Sequence, residues 1–156
     1  MPIKTAIVQT ATGLFADFLL ELKGDPFLLG PDEESRQWVE EIAARGAFDF
    51  DVARKERRGD RDVSIQLPER SLAGRDVVIV DDVVSTAKTL MGAVEQLKEQ
   101  GGGRISVLVS HALFSGDAEQ ALRKLGVDSI VSSDSVPHAT NAVRLAPIIA
   151  QAIRAL

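Results

Sequence analysis

The chain has 156 residues, with 18 Lys+Arg against 23 Asp+Glu for a formal net charge of −5, 45% hydrophobic residues and no cysteine. A single domain of this length buries about 68–70% of the surface its unfolded chain exposes, and the missing cysteine excludes a thiol nucleophile, a disulfide framework and a Cys-based zinc site. Apolar runs such as Val77–Val80 are too short to span a bilayer, and the opening MPIKTAIVQT lacks the apolar centre of a secretory signal, so a cytoplasmic location is expected. An acidic balance with six Phe, one Trp and no Tyr argues against a nucleic-acid surface built on basic groups and stacking rings.

Short apolar strands alternate with amphipathic helices, which predicts a three-layer α/β fold around a mostly parallel sheet. A helix is expected near residues 13–23, followed by a strand at Phe27–Gly30 that ends at Pro31. Asp32-Glu33-Glu34-Ser35 starts the next helix, its acidic residues favoured by the helix dipole, with Trp38, Ile42 and Ala43 on the inner face. Phe48, Phe50 and Val52 alternate, as do Val63, Ile65 and Leu67, and RKERRGDR lies between them, so these two runs are expected to form a hairpin with a charged tip. Val77–Val80 is β-branched throughout and suits a central strand buried on both faces. Leu90, Met91, Val94 and Leu97 mark a helix that stops at Gly101–Gly103. Strands at Ile105–Val109 and Ser129–Ser132, each followed by a helix (about 117–125 and about 143–155), complete an expected sheet of about five strands plus the hairpin.

In open parallel sheets ligands bind beyond the carboxyl ends of the strands, which directs attention to Asp81-Asp82-Val83-Val84-Ser85-Thr86-Ala87-Lys88-Thr89. Two carboxylates there can accept hydrogen bonds from sugar hydroxyls, while hydroxyl side chains and the free N–H groups of a helix start can hold a phosphate dianion. The plainer alternative for any single residue is a strand end followed by an ordinary helix cap.

The string VVIVDDVVSTAKTL closely resembles the phosphoribosyl-pyrophosphate (PRPP) motif shared by type I phosphoribosyltransferases and the PRPP synthetase (ribose-phosphate diphosphokinase) family. LLGPDEESRQWV, RKERRGDRDVSI, SHALFSGDAEQAL and SDSVPHATNAVRLAPIIAQAI resemble, in order and spacing, stretches of the synthetases' C-terminal domain. The resemblance implies a type I phosphoribosyltransferase-like fold, and diphosphoryl transfer from Mg-ATP to ribose 5-phosphate. It implies that Asp81, Asp82, Ser85, Thr86, Ala87, Lys88 and Thr89 hold ribose 5-phosphate, that Lys55 and Arg57 are catalytic, and that Asp32 helps to hold Mg²⁺. Arg58 and Arg61 belong to the same charged tip. Two departures stand out: Glu33-Glu34 replaces a common pair of glycines, placing carboxylates where a pyrophosphate would be repelled, and Ala87 replaces a common glycine.

Synthetases of this family have two such domains, so the resemblance covers one half and implies a chain that is weak or inactive alone. It is expected to act as a homo-oligomer or with a missing N-terminal domain. Ribose 5-phosphate or PRPP and ATP are the implied partners, with no nucleic acid or membrane. A one-domain phosphoribosyltransferase and a non-catalytic PRPP-binding regulatory module are the alternatives. His111 and His138 are expected to be structural, because two separated histidines without cysteine make a poor transition-metal site.

Overall fold

A computed structural model describes residues 6–57 and 63–155, apart from the side chains of 55–57 and 63–64. Six strands form one sheet: β1 (Phe27–Gly30), β2 (Phe50–Val52), β5 (Val77–Val84), β6 (Ile105–Ala112), β7 (Ser129–Ser133) and β8 (Asn141–Val143). Their spatial order is β2-β1-β5-β6-β7-β8, and every neighbouring pair is parallel. A separate antiparallel pair, β3 (Arg54–Arg57) and β4 (Val63–Gln66), forms the hairpin.

The period of two along the strands sends alternate side chains into two cores. Leu28, Val78, Val80 and Leu108 face α1 (Thr12–Glu21) and α2 (Arg36–Gly46), where Phe15, Leu19, Val39 and Ile42 close the layer. Phe27, Leu29, Val77 and Ile79 face the other way, against Leu90, Val94 and Leu97 of α3 (Lys88–Glu99) and Leu122 of α4 (Ala118–Lys124). The last helix, α5 (Ala146–Arg154), carries no buried residue. The glycines end α3 as expected: Gly101 takes a left-handed φ of 72°, and the Gly102 N–H turns back to the Leu97 carbonyl at 2.9 Å.

Four details differ from the expectation. The run at Phe48–Val52 is not an arm of the hairpin: Phe50–Val52 pairs in parallel with β1 as an edge strand, and Arg54–Arg57 is the arm. An alternating run shows that one face is buried but not which strand it pairs with. The sheet therefore has six strands rather than five, the sixth being β8, whose three residues are too few to show a period. Val39, fully buried, holds the inner position on α2, and Trp38 is only half-buried. Glu33–Ser35 forms a separate 3-10 turn before α2.

Strand order reverses between β1 and β5: the chain winds outward to β2 on one side, then returns to β5 on the other. Such a reversal leaves a crevice at the carboxyl ends of the two strands. The loop carrying Asp32 and the Asp81-Asp82 pair border it.

Candidate functional site

β1 ends in Gly30, and a Cβ there would overlap the Ser35 hydroxyl and the Val52 side chain. The missing side chain lets the loop fold tightly over the strand end. Ser35, fully buried, donates its hydroxyl to the Asp32 carbonyl at 2.6 Å. Asp32 caps the 3-10 turn, its Oδ1 accepting the Glu34 N–H at 3.0 Å. Glu33 accepts from the Arg36 Nε at 2.9 Å and Nη2 at 3.2 Å, and that hydrogen bond holds its carboxyl below the usual range. One of the two carboxylates that would repel a pyrophosphate is thus already engaged by a guanidinium. Asp32, Glu33, Glu34 and Arg54 line an open cavity of about 550 Å³.

The expected β5 strand extends four residues further, so Asp81 and Asp82 lie within it rather than after it. Asp81 continues the parity of Val77 and Ile79, and Asp82 that of Val78 and Val80, so the pair straddles the sheet. Asp81 is half-buried and accepts the Asp82 N–H at 3.0 Å, and Asp82 accepts the Val83 N–H at 2.7 Å. Burial pushes the Asp81 carboxyl up to about 7; the Asp82 N–H opposes this, and the charges of Asp82 and Asp32 add to it. Asp32 and Asp81 therefore sense each other across the crevice. Asp82 borders a different groove, of about 310 Å³, with Trp38 and His111.

Beyond β5, Ser85 and Thr86 are exposed, Ala87 is buried, Lys88 is exposed and Thr89 is half-buried. Ala87 adopts φ 57°, ψ 13°, the left-handed region that favours glycine, and no side chain caps α3. The Met91 N–H bonds the Ala87 carbonyl at 2.8 Å, which leaves the N–H groups of Lys88–Leu90 without intrahelical acceptors at the positive end of the dipole. The loop is clamped from outside by Leu113 N–H to the Val84 carbonyl at 3.0 Å and Ser115 N–H to the Ser85 carbonyl at 3.1 Å. The result is a fixed turn with free N–H groups at a helix start, the arrangement that suits an anion.

The hairpin root sits on α3. Ile65, 5% exposed, packs where Gly92 lacks a side chain; a Cβ at Gly92 would stand 3.0 Å from Ile65 Cγ1. The register places Lys55 opposite Ile65 and Arg57 opposite Val63. Arg58 and Arg61 lie outside the described residues, as do the side chains of Lys55 and Arg57. Both histidines make hydrogen bonds within the fold: the His111 Nδ1 is 2.8 Å from the Ser135 hydroxyl, and the His138 Nδ1 is 2.8 Å from the Thr140 hydroxyl. Among the described residues no three His, Asp or Glu side chains cluster tightly enough to hold a metal by themselves. Gly30, Ser35, Arg36 and Gly92 shape the site yet escaped sequence reasoning. A glycine closing a buried strand just before a proline, and another within an apolar helical face, were the available signals.

The phosphoribosyl transferase domain family matches residues 3–151, and the chain belongs to it. The chain is 33% identical over 85% of its length to the ribose-phosphate pyrophosphokinase of Methanopyrus kandleri, covering 45% of that protein. It is 36% identical to ribose-phosphate pyrophosphokinase 1 of Archaeoglobus fulgidus, over 88% of this chain and 49% of that one. The fold superposes on a phosphoribosylpyrophosphate synthetase from Mycobacterium smegmatis with a TM-score of 0.73 at 22% identity, covering 93% of this chain and 50% of the other. The adenine phosphoribosyltransferase of Saccharomyces cerevisiae gives 0.59 at 17% identity, covering 78% and 76%. The chain thus spans about half the length of the pyrophosphokinases it matches. No helix among the described residues is long and apolar enough to cross a membrane.

Proposed function

We propose that this domain binds ribose 5-phosphate or PRPP at the β1/β5 crevice and serves diphosphoryl transfer from Mg-ATP to the sugar 1-hydroxyl. The observation that carries the reading is the continuity of the Asp81-Asp82 pair with the uncapped, left-handed turn that opens α3. Asp81 and Asp82 accept the ribose hydroxyls. Ser85, Thr86 and Thr89, with the N–H groups at Ala87 and Lys88, take the 5-phosphate. Lys55 and Arg57, on the strand whose partner is seated on α3, neutralise charge on the group in transit.

Mg²⁺ suits this donor set. Burial disfavours the Asp81 carboxyl as an anion, and Asp32 stands across from it, so a cation between them would favour both charges. Magnesium bound largely through phosphates and water needs only one or two carboxylates, and Asp32 would supply one. When bound, the ion would stabilise negative charge on the phosphate oxygens.

Because the chain spans about half of its pyrophosphokinase relatives, it binds the sugar phosphate but transfers slowly by itself. Calorimetric titration with ribose 5-phosphate should show saturable binding that weakens at least about tenfold in Asp82→Asn. Lys55→Ala should leave that binding within about twofold, because its role is to stabilise the transferring group. Absence of binding would overturn the site, and brisk AMP formation from ribose 5-phosphate and Mg-ATP by this chain alone would overturn the expected slow transfer. Pyrophosphate release on adding a purine or pyrimidine base with PRPP would instead favour a phosphoribosyltransferase.

A further inference from the structure

His138 lies in the loop between β7 and β8, away from the sugar-phosphate turn, and its neighbours fix its tautomer. The Thr140 backbone N–H, which can only donate, stands 3.3 Å from the His138 Nδ1. Nδ1 is therefore the bare nitrogen of a neutral ring, and the Thr140 hydroxyl, 2.8 Å away, donates to it as well. The buried Ser132 hydroxyl, 2.8 Å from that of Thr140, then gives its proton to Thr140 and accepts the Asn141 Nδ2 at 2.9 Å. The His138 N–H, 2.9 Å from Oδ1, fixes which end of the Asn141 amide is oxygen. Donors run one way, from Asn141 through Ser132 and Thr140 to Nδ1. The ring proton thus sits on Nε2, 3.6 Å from the Glu119 Oε2.

The rest of the ring faces the segment between β6 and α4. Its centroid lies 5.2 Å from that of Phe114, the two planes tilted by 41°. Glu119, in the first turn of α4, has its Oε1 engaged by Arg123 at 2.8 Å and its Oε2 turned to His138. His138 therefore touches residues on both sides of Ser115. The Ser115 N–H is the group that holds the Ser85 carbonyl at 3.1 Å, and the Ser115 carbonyl accepts the Ala118 N–H at 3.2 Å. Ser115 is itself exposed, so its bond to Ser85 lasts only as long as its neighbours keep the segment in place.

We propose that His138 is a positioning residue for the phosphate turn: anchored through Thr140 to β7, its ring braces Phe114 and Glu119 so that Ser115 keeps the Ser85 carbonyl in register. Histidine suits the task because one nitrogen accepts from the buried hydroxyls while the remainder of the ring packs on an aromatic side chain and faces a carboxylate. The brace matters because no side chain caps α3, and the turn before it is steadied from outside. The consequence for ribose 5-phosphate rests on the proposed function; the brace does not.

Two variants separate bracing from general support of the loop. His138→Asn keeps an acceptor for Thr140 and removes the ring, whereas His138→Phe keeps a ring against Phe114 and removes the acceptor. Amide hydrogen exchange at Ser115 should accelerate at least about tenfold in His138→Asn and stay within about twofold in His138→Phe, where the Thr140 amide accelerates instead. Ribose 5-phosphate affinity, read by calorimetry, should fall at least about fivefold in His138→Asn and stay within about twofold in His138→Phe. Imidazole ¹⁵N shifts of the parent chain should show a bare Nδ1 and a protonated Nε2. If His138→Phe does not fold, Phe114→Ala replaces it: exchange at Ser115 should rise as in His138→Asn, and combining the two changes should add nothing. The opposite tautomer, exchange at Ser115 indifferent to His138→Asn, equal acceleration there in both variants, or additive effects with Phe114→Ala overturns the proposal. So does an unchanged affinity in His138→Asn when the parent chain binds. A parent chain that binds no ribose 5-phosphate overturns the proposed function alone, and exchange at Ser115 still decides the brace.

Discussion

Asp81 has a carboxyl that titrates near 7, against an ordinary value of 3.8, mainly because it is buried, with Asp82 and Asp32 adding to the rise. The folded chain therefore holds a proton that the unfolded chain releases, so stability falls as pH rises from about 4 to about 7 and the full penalty applies above that. Asp81→Asn should raise unfolding free energy by about 2 kcal/mol near pH 8 and by almost nothing near pH 4, as read from denaturant curves at both pH values, while weakening sugar-phosphate binding. Gly30 behaves in the opposite sense, because its cost lies in substitution. A methyl there meets Ser35 and Val52, so Gly30→Ala should lose about 2–3 kcal/mol and displace the Asp32 loop, measurable by the same curves. Neither property could be read from the sequence. Each depends on residues brought together by the fold: Asp32 beside Asp81, and Ser35 beneath the end of β1.

At the scale of elements, periodicity located β1, β5, β6, β7 and all five helices to within a few residues, α1 to α4 by the faces they bury and α5 by its apolar spacing alone. It misassigned the residues around Ala53, where the chain leaves β2 of the sheet and enters β3 of the hairpin, with only the Ala53 N–H to Gly30 carbonyl bond at 2.8 Å marking the change. The candidate site was legible where it is contiguous, from Asp81 to Thr89, and illegible where it is assembled from distant segments, as at Arg36 and Gly92. Gly92 joins two elements. Gly92→Leu should favour α3 by about 1 kcal/mol in intrinsic propensity while pushing Ile65 away. Hydrogen exchange should then accelerate at the Ile65 and Gln66 amides of the hairpin, and not at Val94 and Leu97 in the buried face of α3.

For the whole molecule, the two cores share one sheet, so most of the fold stands or falls together while the hairpin is joined at its root. The turn that opens α3 is built onto the end of the sheet, and the hairpin whose first strand carries Arg54 and Lys55 lies outside it, paired only within itself among the described residues. Strand extension accounts for the closeness of the parts. Had β5 ended at Val80, Asp81 would lie in a loop open to water rather than in a half-buried strand facing Asp32.

The reversal of strand order between β1 and β5 also divides the chain into two complementary pieces. Everything before the hairpin tip supplies one edge of the sheet, β2 and β1, and everything after it supplies the other four strands. The two pieces meet along the parallel seam where Leu28 and Leu29 lie against Val78 and Ile79, all deeply buried, along the antiparallel β3–β4 pair, and where α1 and α2 cover the sheet. A chain severed between β3 and β4 should therefore reassociate from its fragments, with co-purification and recovered sugar-phosphate binding as the readout. Neither fragment should bind alone, because the crevice forms only where the two edges join.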